Sequence, residues 1–364
     1  MSSRFLGSRR LPASRLAVAI GAATLAIALA ASSALATPGW STPKLRFAAR
    51  FGPVHSTAVD SQGYLHIVAE GGAAPGLWYI SNAPADGDPT PSWFVLQLTN
   101  KEDHNPSLAI FEDRIYVAFE RHDPGTLASK GIWTVTNKTG TFVVKNRHLG
   151  NDHDPSITAK DGDWHVSFRQ GSALKYISNV GGWAAETLDG TCCGGPSAIM
   201  MADDLLTFCA AYPDGSPSSP GGLRTACRST GGGAWSHDTI DGHPTASVSG
   251  VWTDVIRVVF DRIGWGTYYA RMQNAAWPKR FISDDHGRPD LARYANGNWG
   301  VVTTRSSGNI RFTLLEPTAI SHQQVTSSMS DFAPEIVVVN GKARVIFNHA
   351  EGGTGDGIYV TKQL

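Results

Sequence analysis

Asp103-His104-Asn105-Pro106-Ser107-Leu108-Ala109-Ile110 and Asp152-His153-Asp154-Pro155-Ser156-Ile157-Thr158-Ala159 carry one phrase twice. A polar residue comes first, then Pro or a small residue, then Ser, Thr or an acid, then an apolar run. The phrase recurs at His55-Ser56-Thr57, Gly195-Pro196-Ser197, His243-Pro244-Thr245, Arg288-Pro289-Asp290 and Ala333-Pro334-Glu335. Successive middle positions lie 50, 49, 41, 48, 45 and 45 residues apart. A second phrase follows each copy: a β-prone run that usually ends on a polar residue, as in Ile67–Glu70, Val117–Glu120, Val166–Arg169 and Val258–Asp261. A third alternates aromatic and aliphatic residues, as in Leu77-Trp78-Tyr79-Ile80. A fourth opens on Trp and reaches an aliphatic residue five positions later, at Trp93, Trp183, Trp235 and Trp277. Gly, Pro, Asn and Asp punctuate these runs, and no segment sustains a helical period.

Four short strands repeated every 45 or so residues make the blade of a β-propeller. Seven copies of the first phrase predict an all-β chain folded as a seven-bladed β-propeller. After Pro334 only three strands remain, while Leu45–Phe51 is an orphan apolar stretch before the first blade. The N-terminal strand is therefore expected to complete the last blade and close the ring, which removes an exposed strand edge. The four blade-recurrent Trp are expected to pack between blades rather than to serve as sugar platforms.

Residues 1–36 read as a secretory signal peptide: basic positions Arg4, Arg9, Arg10 and Arg15, an apolar run from Leu16 to Ala31, then Ala34-Leu35-Ala36. The working chain is then residues 37–364, secreted to the extracellular or periplasmic side, with no membrane contact after cleavage. Export permits disulfides, and Cys192, Cys193, Cys209 and Cys227 allow three complete pairings, all of them local. Their spacing does not match a zinc ribbon.

The whole chain balances 31 basic against 31 acidic residues, but all four Arg of the first 36 residues leave with the signal peptide. A mildly acidic chain with scattered charge excludes a nucleic-acid partner, which needs a basic stripe. A composition of 41% hydrophobic and 17% charged residues excludes a disordered protein. A monomer is expected.

In a propeller the start of each first strand and the end of each second strand meet at one face, around the axis. The first set reads His55, Asn105, Asp154, Gly195, His243, Arg288 and Ala333, with His104 and His153 one position earlier. The second reads Glu70, Glu120, Arg169, Ala210, Asp261, Arg305 and Asn348, with Arg121, His122, Arg262 and His349 just after. Arginine with histidine suits an anionic ligand, because guanidinium matches a carboxylate and imidazole exchanges protons near neutral pH. An acidic carbohydrate is the expected ligand. For a lyase, His104 and His153 are the expected proton-transfer groups, with Arg121, Arg169 and Arg305 on the carboxylate. For a glycosidase, Glu120, Asp154 and Asp261 supply the carboxylates. His55, His122, His243, Arg262 and Arg288 complete the expected binding set. A lectin with no chemistry is the alternative, and a protein-binding propeller a third. No cofactor or metal is expected, although several His around one axis could hold a divalent ion.

The Asp-His-Asn-Pro-Ser and Asp-His-Asp-Pro-Ser phrases resemble blade starts in the sialidase-like, BNR-type secreted propellers. The nearest members are the seven-bladed polysaccharide lyases and related rhamnosidases. That resemblance implies a carbohydrate-active propeller with His on its channel face. The stretch 229–235 echoes the sialidase Asp box without its Asp, and no Arg-Ile-Pro signature occurs.

Overall fold

The computed structural model describes residues 39–364, apart from 48–50, 72–74, 84–91, 203–206, 217, 230–231 and 351–355. The expected signal peptide lies outside the described residues. The described chain forms seven four-stranded antiparallel sheets, one per blade. The first six are consecutive meanders. Blade 1 opens with Phe51–Val59 and Leu65–Gly71, blade 2 with Asp103–Phe111 and Arg114–His122, and blade 3 with Asp152–Lys160 and Asp163–Gln170. Blade 4 opens with Ala198–Met201 and Thr207–Ser216, blade 5 with Thr245–Trp252 and Ile256–Arg262, and blade 6 with Asp290–Arg293 and Trp299–Thr304. Blade 7 contributes Asp331–Val339, Lys342–His349 and Gly357–Lys362, and its outer strand is Lys44–Phe47.

The ring therefore closes as expected, with Lys44 opposite Val360 and Leu45 opposite Tyr359. The closing strand is shorter than the expected Leu45–Phe51, because Phe51 already opens blade 1. Trp40, fully buried, reinforces the closure, and its indole donates to Gln323 Oε1 of blade 6 at 3.1 Å.

The recurrent phrase is an inter-blade clasp. Ser56 Oγ accepts the Leu108 N–H at 3.0 Å, Ser107 Oγ the Ile157 N–H at 3.1 Å, and Ser156 Oγ the Ile199 N–H at 3.1 Å. Asp290 Oδ2 accepts the Ile336 N–H at 2.9 Å in the same way. Each inner-strand amide would otherwise be left unsatisfied between blades. These bonds also correct the alignment of the repeats. Ser56 is the counterpart of Ser107, so His55 matches Pro106 and sits one step deeper than expected. In blade 5 the clasping residue is Ser249, which donates to Asp290 Oδ1 at 2.6 Å. His243-Pro244-Thr245 thus lies earlier in its blade than the phrase implied.

Seven apolar clusters fill the seven blade interfaces. Val68, Leu77 and Tyr79 of blade 1 face Val117, Phe119 and Val135 of blade 2, for example. Leu65 and Ile67 face Ile346 and Val360 across the seam between blades 1 and 7. The recurrent Trp pack into these interfaces as expected: Trp93, Trp183, Trp235 and Trp277 each join a cluster. Arg46, Arg147 and Arg228 cap three of them, 3.9–4.6 Å above the ring centres. Among the open cysteine pairings the structure forms Cys192–Cys193 and Cys209–Cys227. Cys209 and Cys227 are direct cross-strand partners in blade 4.

Candidate functional site

The rim between blades 2 and 3 gathers three of the candidate histidines, two of them on one carboxylate. A left-handed residue makes this possible. Asn105 and Asp154 adopt φ of 49° and 54°, each at a break in pairing between the first and second strands. Asn and Asp tolerate that conformation better than most residues. The kink aims each backbone amide sideways at the preceding blade. The Asn105 N–H bonds Glu70 Oε1 and the Asp154 N–H bonds Glu120 Oε1, both at 2.5 Å.

Glu120 is the centre of the arrangement. Its side chain is 1% exposed. Oε1 takes the Asp154 amide and the Asn105 Nδ2 donor at 2.6 Å. Oε2 faces His122 Nε2 at 2.8 Å and His153 Nδ1 at 3.1 Å. Burial pushes its acidity down, but the bonds from Asn105, Asp154 and His122 and the nearby His153 outweigh it. The carboxyl is held below its ordinary value. His104 lies beside this group, its ring 4.6 Å from that of His122. His104 Nδ1 is 3.6 Å from Glu70 Oε2 and its Nε2 is 3.8 Å from Glu102 Oε2. The bond toward Glu70 raises the His104 pKa against the effect of burial. The imidazoles of His104, His122 and His153 remain 34%, 16% and 24% exposed, so a ligand on the rim can reach them.

The expected carboxylate-binding arginines are mostly committed elsewhere. Arg121 grips buried Asp103 through two bonds of 2.7 and 2.9 Å and stacks on Trp133. Arg262 grips Asp241 through two bonds of 2.9 Å and stacks on Tyr268. Both are buttresses rather than free guanidiniums. His349 with Asp331, at 2.6 Å, and Gln170 with Asp152, at 2.8 Å, repeat the device. In blades 2, 3 and 7 the acid precedes its partner by 18 residues, a signal the sequence reading missed. Arg169 Nε lies 3.1 Å from Asp154 Oδ2, and Arg305 Nε lies 3.8 Å from Asp285 Oδ1. Arg288, by contrast, is exposed and makes no ion pair among the described residues.

The three carboxylates expected to serve a glycosidase are likewise engaged. Glu120 has four donors around it, Asp154 holds Arg169, and Asp261 accepts His286 Nδ1 and the Gly287 N–H, both at 3.0 Å. His286 was not anticipated, nor was the role of His122 as the bridge between His104 and Glu120. On blade 5, His243 sits 3.3 Å from Asp241, with Trp265 beside it. Trp265 is 62% exposed, the only Trp among the exposed large apolar residues of the described chain.

Beneath the rim, a cavity of about 170 Å³ runs along the axis, lined by His55, Asn105, Asp154, Arg288 and Glu335 among others. Burial pushes His55 down to about 4, so its ring is neutral. Its Nδ1 faces Asn348 at 3.2 Å, and its buried Nε2 has no hydrogen-bond partner. Burial and the neighbouring Asp290 push Glu335 well above the usual carboxylate range. Asp290 and Glu335 stand where the clasping copies of the phrase carry Ser.

No family model matches the sequence, nor does any curated protein sequence. Solved structures do match. The phage phi92 endosialidase is similar at 12% identity and a TM-score of 0.55, over 88% of this chain and 68% of its own. The polysaccharide lyase Uly1 is similar at 12% identity and 0.52, over 87% of this chain and 90% of its own. The fold they share with this chain is the β-propeller. The Trypanosoma rangeli sialidase, solved with sialic acid, shares it at 8% identity and 0.51, and this chain spans about half its length (53%). At such identities the likeness concerns the fold. Among the described residues no helix is long and apolar enough to cross a membrane.

Proposed function

We propose that this protein is an exported propeller that cleaves an acidic polysaccharide or oligosaccharide at the rim of blades 2 and 3, by histidine-mediated elimination. One observation carries the reading: the candidate carboxylates are fixed as acceptors, while imidazoles stand open on the rim. A glycosidase needs a carboxylic acid that gives up a proton to the leaving oxygen. Glu120, held below its ordinary value and ringed by donors, is a poor acid.

Elimination from a uronate asks for different groups. Arg288, unpaired and beside the axial cavity, neutralises the sugar carboxylate. His104, in its neutral form, removes the proton on the carbon next to that carboxylate. The C–H electron pair becomes the new carbon–carbon double bond and the glycosidic C–O bond breaks. The leaving oxygen takes a proton, which the His104 imidazolium can return. His153 is less suited than the sequence suggested, because its ring nitrogens face Glu120 Oε2 and Asn151 Oδ1, each at 3.1 Å. The signal-peptide pattern and the pairing of all four cysteines support export.

The test is a screen of purified protein against acidic and neutral polysaccharides, read for unsaturated products, reducing ends and binding. The proposal expects unsaturated ends from an acidic polymer alone. New reducing ends without unsaturation would replace elimination by hydrolysis. Binding without products would support the lectin reading, which the exposed Trp265 beside His243 favours.

A further inference from the structure

The cluster beside His104 has the chemistry of a metal site. Among the described residues, Glu120, His122 and His153 are the group of His, Cys, Asp or Glu side chains whose ligand atoms all lie within 4.8 Å of one another. Glu120 Oε2 itself sits 2.8 Å from His122 Nε2 and 3.1 Å from His153 Nδ1. They come from two blades and from strands held in register by the clasps described above. We infer that Glu120, His122 and His153 bind one first-row divalent ion of the zinc class, with its remaining coordination positions open to the rim.

Three features favour this over an ordinary hydrogen-bonded cluster. First, two imidazoles and one carboxylate form a borderline ligand set, which suits zinc, cobalt or nickel. Calcium and magnesium want more oxygen ligands than the cluster offers. Second, the outer contacts are those of a metal-binding site. Asn105 Nδ2 and the Asp154 amide occupy Glu120 Oε1, which leaves Oε2 as the single ligating oxygen. Asn151 Oδ1 faces His153 Nε2 at 3.1 Å, which orients that ring with Nδ1 toward Glu120. Third, three protein ligands leave open positions, and His122 and His153 remain partly exposed on the side a ligand would approach. An ion there would stand close to His104 and add positive charge where an acidic sugar is proposed to sit. Its binding does not depend on that proposal.

The experiment is direct metal binding to the purified protein after chelator treatment. Cobalt(II) is titrated while its visible absorption is followed, zinc(II) is added in competition, and each is repeated by calorimetry. The expected result is one equivalent per chain, displaced by zinc, with calcium(II) showing no binding. His122→Ala and His153→Ala should each weaken cobalt binding at least tenfold, and Asn151→Ala about tenfold. His322→Ala, on the outer strand of blade 6, should leave it unchanged. Glu120 also braces two blades, so the His variants, with thermal melts recorded in chelator, separate lost ligation from lost folding. Zinc should raise the melting temperature of the wild type but not of His122→Ala/His153→Ala. Equal cobalt binding by the wild type and that double variant would overturn the inference, as would no binding by either. Metal binding with no cleavage of any acidic polymer would sink the proposed function and leave the metal site standing. Chelator-resistant cleavage without metal binding would do the reverse.

Discussion

The rim of blades 2 and 3 and the hub beneath it are built from the same sequence phrase, yet they treat imidazole in opposite ways. On the rim, His104, His122 and His153 each face a carboxylate and keep part of their surface open. In the hub, His55 is buried, faces an amide, and keeps one nitrogen without a partner. The difference is one residue of register. Pro106 and Pro155 occupy the hub position in blades 2 and 3, so the preceding residues rise to the rim. In blade 1 the histidine itself takes that position. A residue type does not make a site in this fold; its height on the inner strand does.

Turnover offers the largest contrast. His104→Ala should lower turnover of an acidic polymer by about 10²–10⁴-fold, the usual reach of a proton-transfer group. His55→Gln should leave turnover within a few-fold of wild type. A comparable loss from both would erase the distinction between rim and hub.

Stability separates the two regions next. Glu120→Ala strips a buried acceptor from the Asp154 amide and from Asn105, and should cost about 3 kcal/mol by denaturant unfolding. The hub shows itself in the pH dependence. His55 titrates near 4 when folded against 6.5 as its ordinary value. Between those values the unfolded chain takes up a proton that the folded chain refuses, so stability falls as pH falls from 6.5 toward 4. The full difference amounts to about 3 kcal/mol, and the wild type should lose up to that much more than His55→Gln over this window. Parallel profiles for the two proteins would show that His55 is not buried as described. The smallest effect is expected where the two regions meet. Arg288→Ala should lower kcat/KM for an acidic polymer about tenfold, with kcat falling as well as KM rising, because the charge that Arg288 neutralises grows on the carboxylate as the neighbouring proton leaves.

Much of the fold was legible because a propeller repeats its instructions. The seven phrases, the missing outer strand of blade 7 and the inter-blade Trp all follow from periodicity, and one register error does not disturb them. The site depends on register itself. Asp154 and Ala333 hold equivalent kinked positions in blades 3 and 7, and Pro follows both, so the alignment there was readable. In blade 1 the phrase lacks its Pro, and in blade 5 a His-Pro pair occurs before the strand pairs fully. For those reasons His55 lies deeper on its inner strand than the phrase predicts, and His243 lies before its inner strand begins. Arg121 and Arg262 looked like ligand-binding residues because their acids, Asp103 and Asp241, lie 18 and 21 residues away in sequence. The disulfides could not be chosen without knowing that Cys209 and Cys227 face each other across a hairpin.

Calorimetry of a uronate oligosaccharide binding to His104→Ala tests the central claim most directly, because the variant holds the ligand without consuming it. The account predicts one site per chain, weakened about tenfold or more by adding Arg288→Ala. Several equivalent sites per chain, or one site indifferent to Arg288, would contradict it.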